Sequence, residues 1–160
     1  MLVICDNSTL SALAEIELIH LLPRVVGRVT IPAAVATESR HLGAPPVLRA
    51  WMANPPDWLA IVSDPAELLQ ETKTLGAGEA AAITIAWSNR GQSWLILDEK
   101  RGRAVAKSLE LPVTGLLAIL VSAANQHLVD FEDALARLLA TGFRLSSSII
   151  EEARLKAARP

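Results

Sequence analysis

Two short apolar runs, each stopped by an aspartate, constrain this chain more than any other feature. Leu2-Val3-Ile4-Cys5 reads as a buried strand, and Asp6 closes it ahead of the polar Asn7-Ser8-Thr9. The same grammar returns far along the chain, where Ser93-Trp94-Leu95-Ile96-Leu97 ends at Asp98. Open α/β sheets gather their ligands outside the carboxyl ends of the strands. Two strands ending in aspartate therefore point to one acidic site assembled from distant parts of the sequence.

The rest of the chain supplies the partners such strands need. Ser8 can cap a helix running to about Leu22, with Leu10, Leu13, Ala14, Leu18 and Leu21 at helical spacing and Pro23 as its stop. Arg28–Ile31 is a short strand, and Pro32 occupies the first position of a helix reaching about Leu42. A loop at 43–46, a short helix from Val47 to Met52 and a strand at Trp58–Val62 follow, and Asp64-Pro65 opens a helical turn. Glu79–Asn89 is a helix closed by Gly91, Lys100–Leu109 another, Pro112–Thr114 a short strand, and Gly115–Asn125 an apolar helix. A C-terminal helical segment spans about 130–158, with one helix starting at Asp130 and a last one from Ser146. Strands alternating with helices, without a hairpin signal, predict an α/β fold: a three-layer α/β/α sandwich around a short parallel sheet. With no repeat or linker visible, residues 1–160 read as a single domain.

Composition narrows the function. Of the 160 residues, 51% are hydrophobic and 20% charged, which is globular rather than disordered. The net charge of −2 is not the footprint of a general nucleic-acid binder, so phosphates would need a local basic cluster or a metal. The single cysteine, Cys5, rules out an internal disulfide framework and a Cys-rich zinc site, and reads as a buried, inert thiol. A cytoplasmic location is expected: no secretory leader is visible, and the longest apolar run, Leu111–Ala124, is too short and too broken to span a bilayer, so no membrane partner is expected.

Two further acids stand where they could face the same crevice, Glu38 in the second helix and Glu79 in the first turn of the helix before the Asp98 strand. Each of the four also has a purely structural reading. Asp6 could cap Ser8 and Thr9, Asp98 could cap its own following helix, Glu79 could complement a helix dipole, and Glu38 could be solvated. Together, however, four neighbouring carboxylates would repel and raise one another's pKa, and a divalent cation relieves this. An all-oxygen donor set selects Mg²⁺ or Mn²⁺. Metal-assisted hydrolysis of a phosphodiester is the sharpest chemistry such a site offers.

The set Asp6-Asn7-Ser8-Thr9-Leu10, Glu38, Gly78-Glu79-Ala80-Ala81-Ala82-Ile83 and Leu95-Ile96-Leu97-Asp98-Glu99 resembles the PIN domain, and within it a PIN-like nucleic-acid-binding subfamily related to VapC-type toxins. Arg103-Ala104-Val105-Ala106, Leu111-Pro112-Val113-Thr114-Gly115 and Gly142-Phe143-Arg144-Leu145-Ser146 extend the resemblance over nearly the whole chain. It departs at Asn7-Ser8-Thr9, where Thr-Ser-Pro is more usual, at Glu79, where many have Asp, and at Glu99, where a second Asp is frequent. The resemblance implies a central Asp6 strand and a Mg²⁺- or Mn²⁺-dependent endoribonuclease, the toxin of a type II toxin–antitoxin pair. It places Asp6, Glu38, Glu79 and Asp98 at the catalytic acidic positions, with Asp6, Glu79 and Asp98 as metal ligands and Ser8 supporting Asp6.

Lys100, Arg101 and Arg103, just after Asp98, could hold RNA phosphates or simply form a solvated helix start. Single-stranded RNA, an antitoxin protein and a second copy of the chain are the expected partners. The apolar Leu116–Leu120 run fits either core or a dimer face. Gly76-Ala77-Gly78 lacks the residues of a phosphate loop, the three histidines have no ligand spacing, and the four tryptophans read as packing residues. The main alternative to a nuclease is a catalytically impaired RNA- or protein-binding module on the same fold. A receiver-like phosphoacceptor is the third reading, but the lysine expected after its last strand is missing at Thr114-Gly115.

Overall fold

A computed structural model describes residues 1–158; Arg159 and Pro160, which the 1–160 domain reading included, lie outside the described residues. In chain order the elements are β1 (Leu2–Cys5), α1 (Asn7–Glu15), a 3₁₀ turn (Ile19–Leu21), α2 (Leu22–Val26), β2 (Val29–Pro32), α3 (Ala33–Arg40), α4 (Pro46–Met52) and β3 (Leu59–Val62). A second 3₁₀ turn (Gln70–Thr72) precedes α5 (Ala77–Ser88), β4 (Ser93–Ile96), α6 (Lys100–Ser108), β5 (Val113–Thr114), α7 (Leu116–Asn125), α8 (Phe131–Ala140) and α9 (Ser147–Ala157).

All strand pairs are parallel, and the five-stranded sheet has the order β3-β2-β1-β4-β5. β1 is central. Strand order reverses between β1 and β4, because the chain first adds strands on one side of β1 and then crosses to the other. Their register pairs Ile4 with Leu95 and Cys5 with Ile96, so Asp6 and Asp98 emerge side by side at the carboxyl edge. That edge at a reversal of strand order is where α/β sheets open a crevice.

Helices cover both faces of the sheet, and the strands alternate between two cores. Val3, Cys5, Val29, Ile31 and Ile96 face a large core completed by α1, α2, α3, α4, α7 and α8. Ile4, Leu95 and Leu97 face a smaller one built with Ala82, Ile83 and Ala86 of α5 and Ala106 of α6. Burial on both faces is why these strands read as continuous apolar runs. Leu116, Ile119 and Leu120 are buried in the large core, so that part of the apolar run is core. Trp51 and Trp58 pack against each other with centroids 5.7 Å apart, and Arg90 stacks on Trp87.

Several boundaries differ from the sequence reading. α1 is capped by Asp6 rather than Ser8, since the Asp6 carboxylate accepts from Thr9 N–H. It ends at Glu15 rather than near Leu22: Glu17 turns left-handed at φ 61°, which breaks the helix and brings Leu18, Ile19, Leu21 and Leu22 onto the core. Pro23 does not stop a helix; it sits in the first turn of α2, where its missing N–H is harmless. Pro32 ends β2 and precedes α3 instead of starting it. Asp64 opens no helical turn. Its Oδ1 accepts from Ala34 N–H at 2.9 Å, capping α3 from thirty residues away in sequence.

Candidate functional site

Asp6 is fixed where β1 ends and α1 begins. Its Oδ1 accepts from Thr9 N–H at 3.0 Å and its Oδ2 from Ser8 Oγ at 2.5 Å. The side chain is almost wholly buried, and burial is the main reason its pKa rises to about 6. Hydrogen bonding by Ser8 and by the Thr9 backbone and side chain works against that shift, and the nearby Asp98 adds to it.

Asp98 lies beyond β4 and does not cap its own helix. It accepts instead from Leu116 N–H at the start of α7, at 3.0 and 3.1 Å to its two oxygens, and from Thr9 Oγ1 at 2.7 Å. Gly115 makes this approach feasible. A Cβ there would stand 2.7 Å from Asp98 Oδ1 and 3.1 Å from Arg103 Nη1. Burial raises the Asp98 pKa, opposed by Thr9, Leu116 and the Arg103 guanidinium.

Glu79, in the first turn of α5, differs from the others. Its Oε2 is buried and has no hydrogen-bond partner. It lies against Gly102 of α6, where an added Cβ would collide with it. Burial, then the charges of Asp6, Glu99 and Glu38, push its pKa to about 7. Glu38 reaches the same helix terminus, its Oε1 accepting from Gly78 N–H at 2.8 Å. It is half-buried and bonded rather than a free surface side chain. Such a bond at a helix N-terminus suits an anion on both hydrogen-bonding and dipole grounds.

Asp6 feels the charge of Asp98, and Glu79 feels those of Asp6 and Glu38. The donor chemistry is all oxygen, and an unpartnered buried carboxylate oxygen is a place for a cation to bind. Among the described residues, however, no group of three His, Cys, Asp or Glu side chains is arranged to hold a metal ion. Asp6 and Asp98 are instead held by protein donors.

The basic cluster is divided. Lys100 is exposed, and Arg101 is exposed with a long contact of 3.4 Å to Thr74 O. Arg103 folds back, its Nη1 donating to Leu97 O at 2.7 Å, which fixes it under Asp98 rather than in solvent. Ser8 is exposed and bonded to Asp6.

Thr9 was missed in the sequence. It bonds both aspartates, but the residue it reaches through its hydroxyl is 89 positions away, and no local pattern reports such a pairing. Gly102 and Gly115 were missed for the same reason: the need for a glycine comes from an acid on another element.

Fold and site together define an α/β protein with two aspartates side by side at the carboxyl edge of a parallel sheet. Residues 2–159 match the model of the DUF3368 family, described as a PIN domain, and the chain belongs to this family of predicted nucleases. No curated protein and no solved structure matches it. Among the described residues no helix is long and apolar enough to cross a membrane.

Proposed function

We propose that this protein is a Mg²⁺- or Mn²⁺-dependent endoribonuclease that hydrolyses phosphodiester bonds in single-stranded RNA, acting as the toxin of a type II toxin–antitoxin pair. The observation that carries the reading is the meeting of Asp6 and Asp98 at the β1–β4 reversal, with the unpartnered Glu79 oxygen in the field of Asp6. Family membership supports it. Antitoxin control follows the resemblance to VapC-type toxins, and a homodimeric assembly and a cytoplasmic location belong to the same proposal.

In this reading Asp6, Glu79 and Asp98 hold the cation. When bound, it would lower the pKa of a water and offset charge on the phosphodiester. Glu38 is a further ligand to the ion or its water, or a general base. Ser8 holds the Asp6 carboxylate. Lys100 and Arg101 are exposed beside the crevice and supply charge for RNA phosphates, while Arg103 steadies the end of β4.

The experiment is cleavage of single-stranded RNA by purified protein with Mn²⁺, beside Asp6→Asn protein prepared identically. Cleavage by the wild type alone is expected, and growth arrest on expression should follow the same division. Equal residual cleavage by both would mean contamination and defeat the reading. A second reading, an RNA- or protein-binding module without cleavage, is favoured by one observation: Asp6 and Asp98 already have protein donors, and no three-residue ligand group is arranged among the described residues. RNA binding without cleavage would establish it.

A further inference from the structure

Thr9 is fully buried and touches both strand-end aspartates. Its N–H donates to Asp6 Oδ1 at 3.0 Å, the ordinary capping bond that any residue with a free N–H could supply there. Its hydroxyl does something less ordinary. Threonine hydroxyls in helices commonly bond to nearby backbone. This one crosses from α1 to the end of β4 and donates to Asp98 Oδ2 at 2.7 Å.

Neither helix needs that second bond. Asp6 already caps α1, and Leu116 N–H already bonds both Asp98 oxygens from α7. The hydroxyl adds a lateral tie. Without it, the groups left on Asp98 are Leu116 N–H of α7 and the Arg103 charge of α6, and neither bonds Asp6.

We propose that Thr9 is a positioning residue, whose hydroxyl holds the Asp98 carboxylate beside that of Asp6 so that the two act as one cation-binding edge. The role rests on the nuclease reading above and specifies a residue outside the acidic set. Groups that orient metal-binding carboxylates typically contribute ten- to a hundredfold to affinity or activity.

The test uses the full chain with Thr9→Val, which keeps the shape and removes the hydroxyl, and Thr9→Ser, which keeps the hydroxyl. Mn²⁺ alone is titrated while thermal melting is followed, and cleavage of single-stranded RNA is measured separately. Thr9→Val should need about ten- to a hundredfold more Mn²⁺ for half its stabilisation and lose kcat by a similar factor, with KM for RNA unchanged. Thr9→Ser should restore both. Should the valine variant fail to fold, Thr9→Cys takes its place, since a thiol is a weak donor, and it should be more impaired than serine. Wild-type behaviour of the valine variant, or equal impairment of all hydroxyl and non-hydroxyl variants, overturns the positioning role and leaves the nuclease standing. A wild type that neither binds Mn²⁺ nor cleaves RNA overturns the nuclease reading, and this role with it.

Discussion

Asp6 is at once a helix cap and a buried acid, and the two roles pull its carboxyl in opposite directions. Burial wins and takes its pKa from 3.8 to about 6; Glu79 rises from 4.5 to about 7 for the same leading reason. Between about pH 4 and 7 the folded chain holds protons that the unfolded chain has released, so stability falls as pH rises through that window. At Asp6 the effect is on the order of 3 kcal/mol, at about 1.4 kcal/mol per pKa unit. The partly exposed Glu79 adds a smaller, solvent-screened amount. Metal-free protein should therefore melt higher at pH 5 than at pH 7.5, and Asp6→Asn should flatten much of that slope. Calorimetry across pH checks both. Asp6 as a strand-end acid was legible in the sequence because strand and turn are adjacent. A raised pKa was expected from repulsion among the acids, but burial as its leading cause was not legible, because burial is set by helices far along the chain.

At the scale of elements, helix starts do the positioning, and two substitutions separate this from stability. Gly102→Ala should gain about 1 kcal/mol in helix propensity. Against that, the new Cβ collides with Glu79 and stands 3.1 Å from Leu97 Cδ2, and overpacking of this kind costs about 1–3 kcal/mol. The net change in melting should be small or unfavourable, while displacement of Glu79 should sharply reduce Mn²⁺-dependent cleavage. Asp64→Ala should do the reverse. It removes the acceptor for Ala34 N–H and costs about 1 kcal/mol, measurable by urea unfolding, with cleavage largely retained because Glu38 lies beyond that turn. Neither role was visible in sequence. Asp64-Pro65 reads locally as a helix start, and only the packing of β3 beside β2 reveals it as the cap of α3.

For the whole molecule, the buried acids are a concentration of charge, which in the proposed reading a cation relieves. Anything that binds only the native state raises its stability by mass action, by about 2.7 kcal/mol at a concentration a hundred times Kd. Mn²⁺ should raise the melting temperature of the wild type, and chelator should reverse the rise. The Asp6→Asn/Asp98→Asn double variant should melt higher than wild type at pH 7.5 without metal, because two buried charges are removed while an amide oxygen can still accept at each position. It should no longer respond to Mn²⁺. An equal response from wild type and double variant would remove these residues from the cation site.

The sequence by itself determined the alternation of strands and helices, the parallel sheet and the two aspartates at strand ends. These are written in neighbouring residues: apolar runs buried on both faces, prolines and glycines at element ends, an acid directly after a strand. The break at Glu17 escaped it, since the helical spacing of Leu10 to Leu21 continues across a turn that only core packing selects. Tertiary structure alone decided what those acids touch. Leu116 N–H finds Asp98 across 18 residues, Gly78 N–H finds Glu38 across 40, and the Thr9 hydroxyl finds Asp98 across 89. Such pairings depend on the order of strands in the sheet. That order is a property of how the whole chain buries its apolar surface, and no short stretch of sequence carries it.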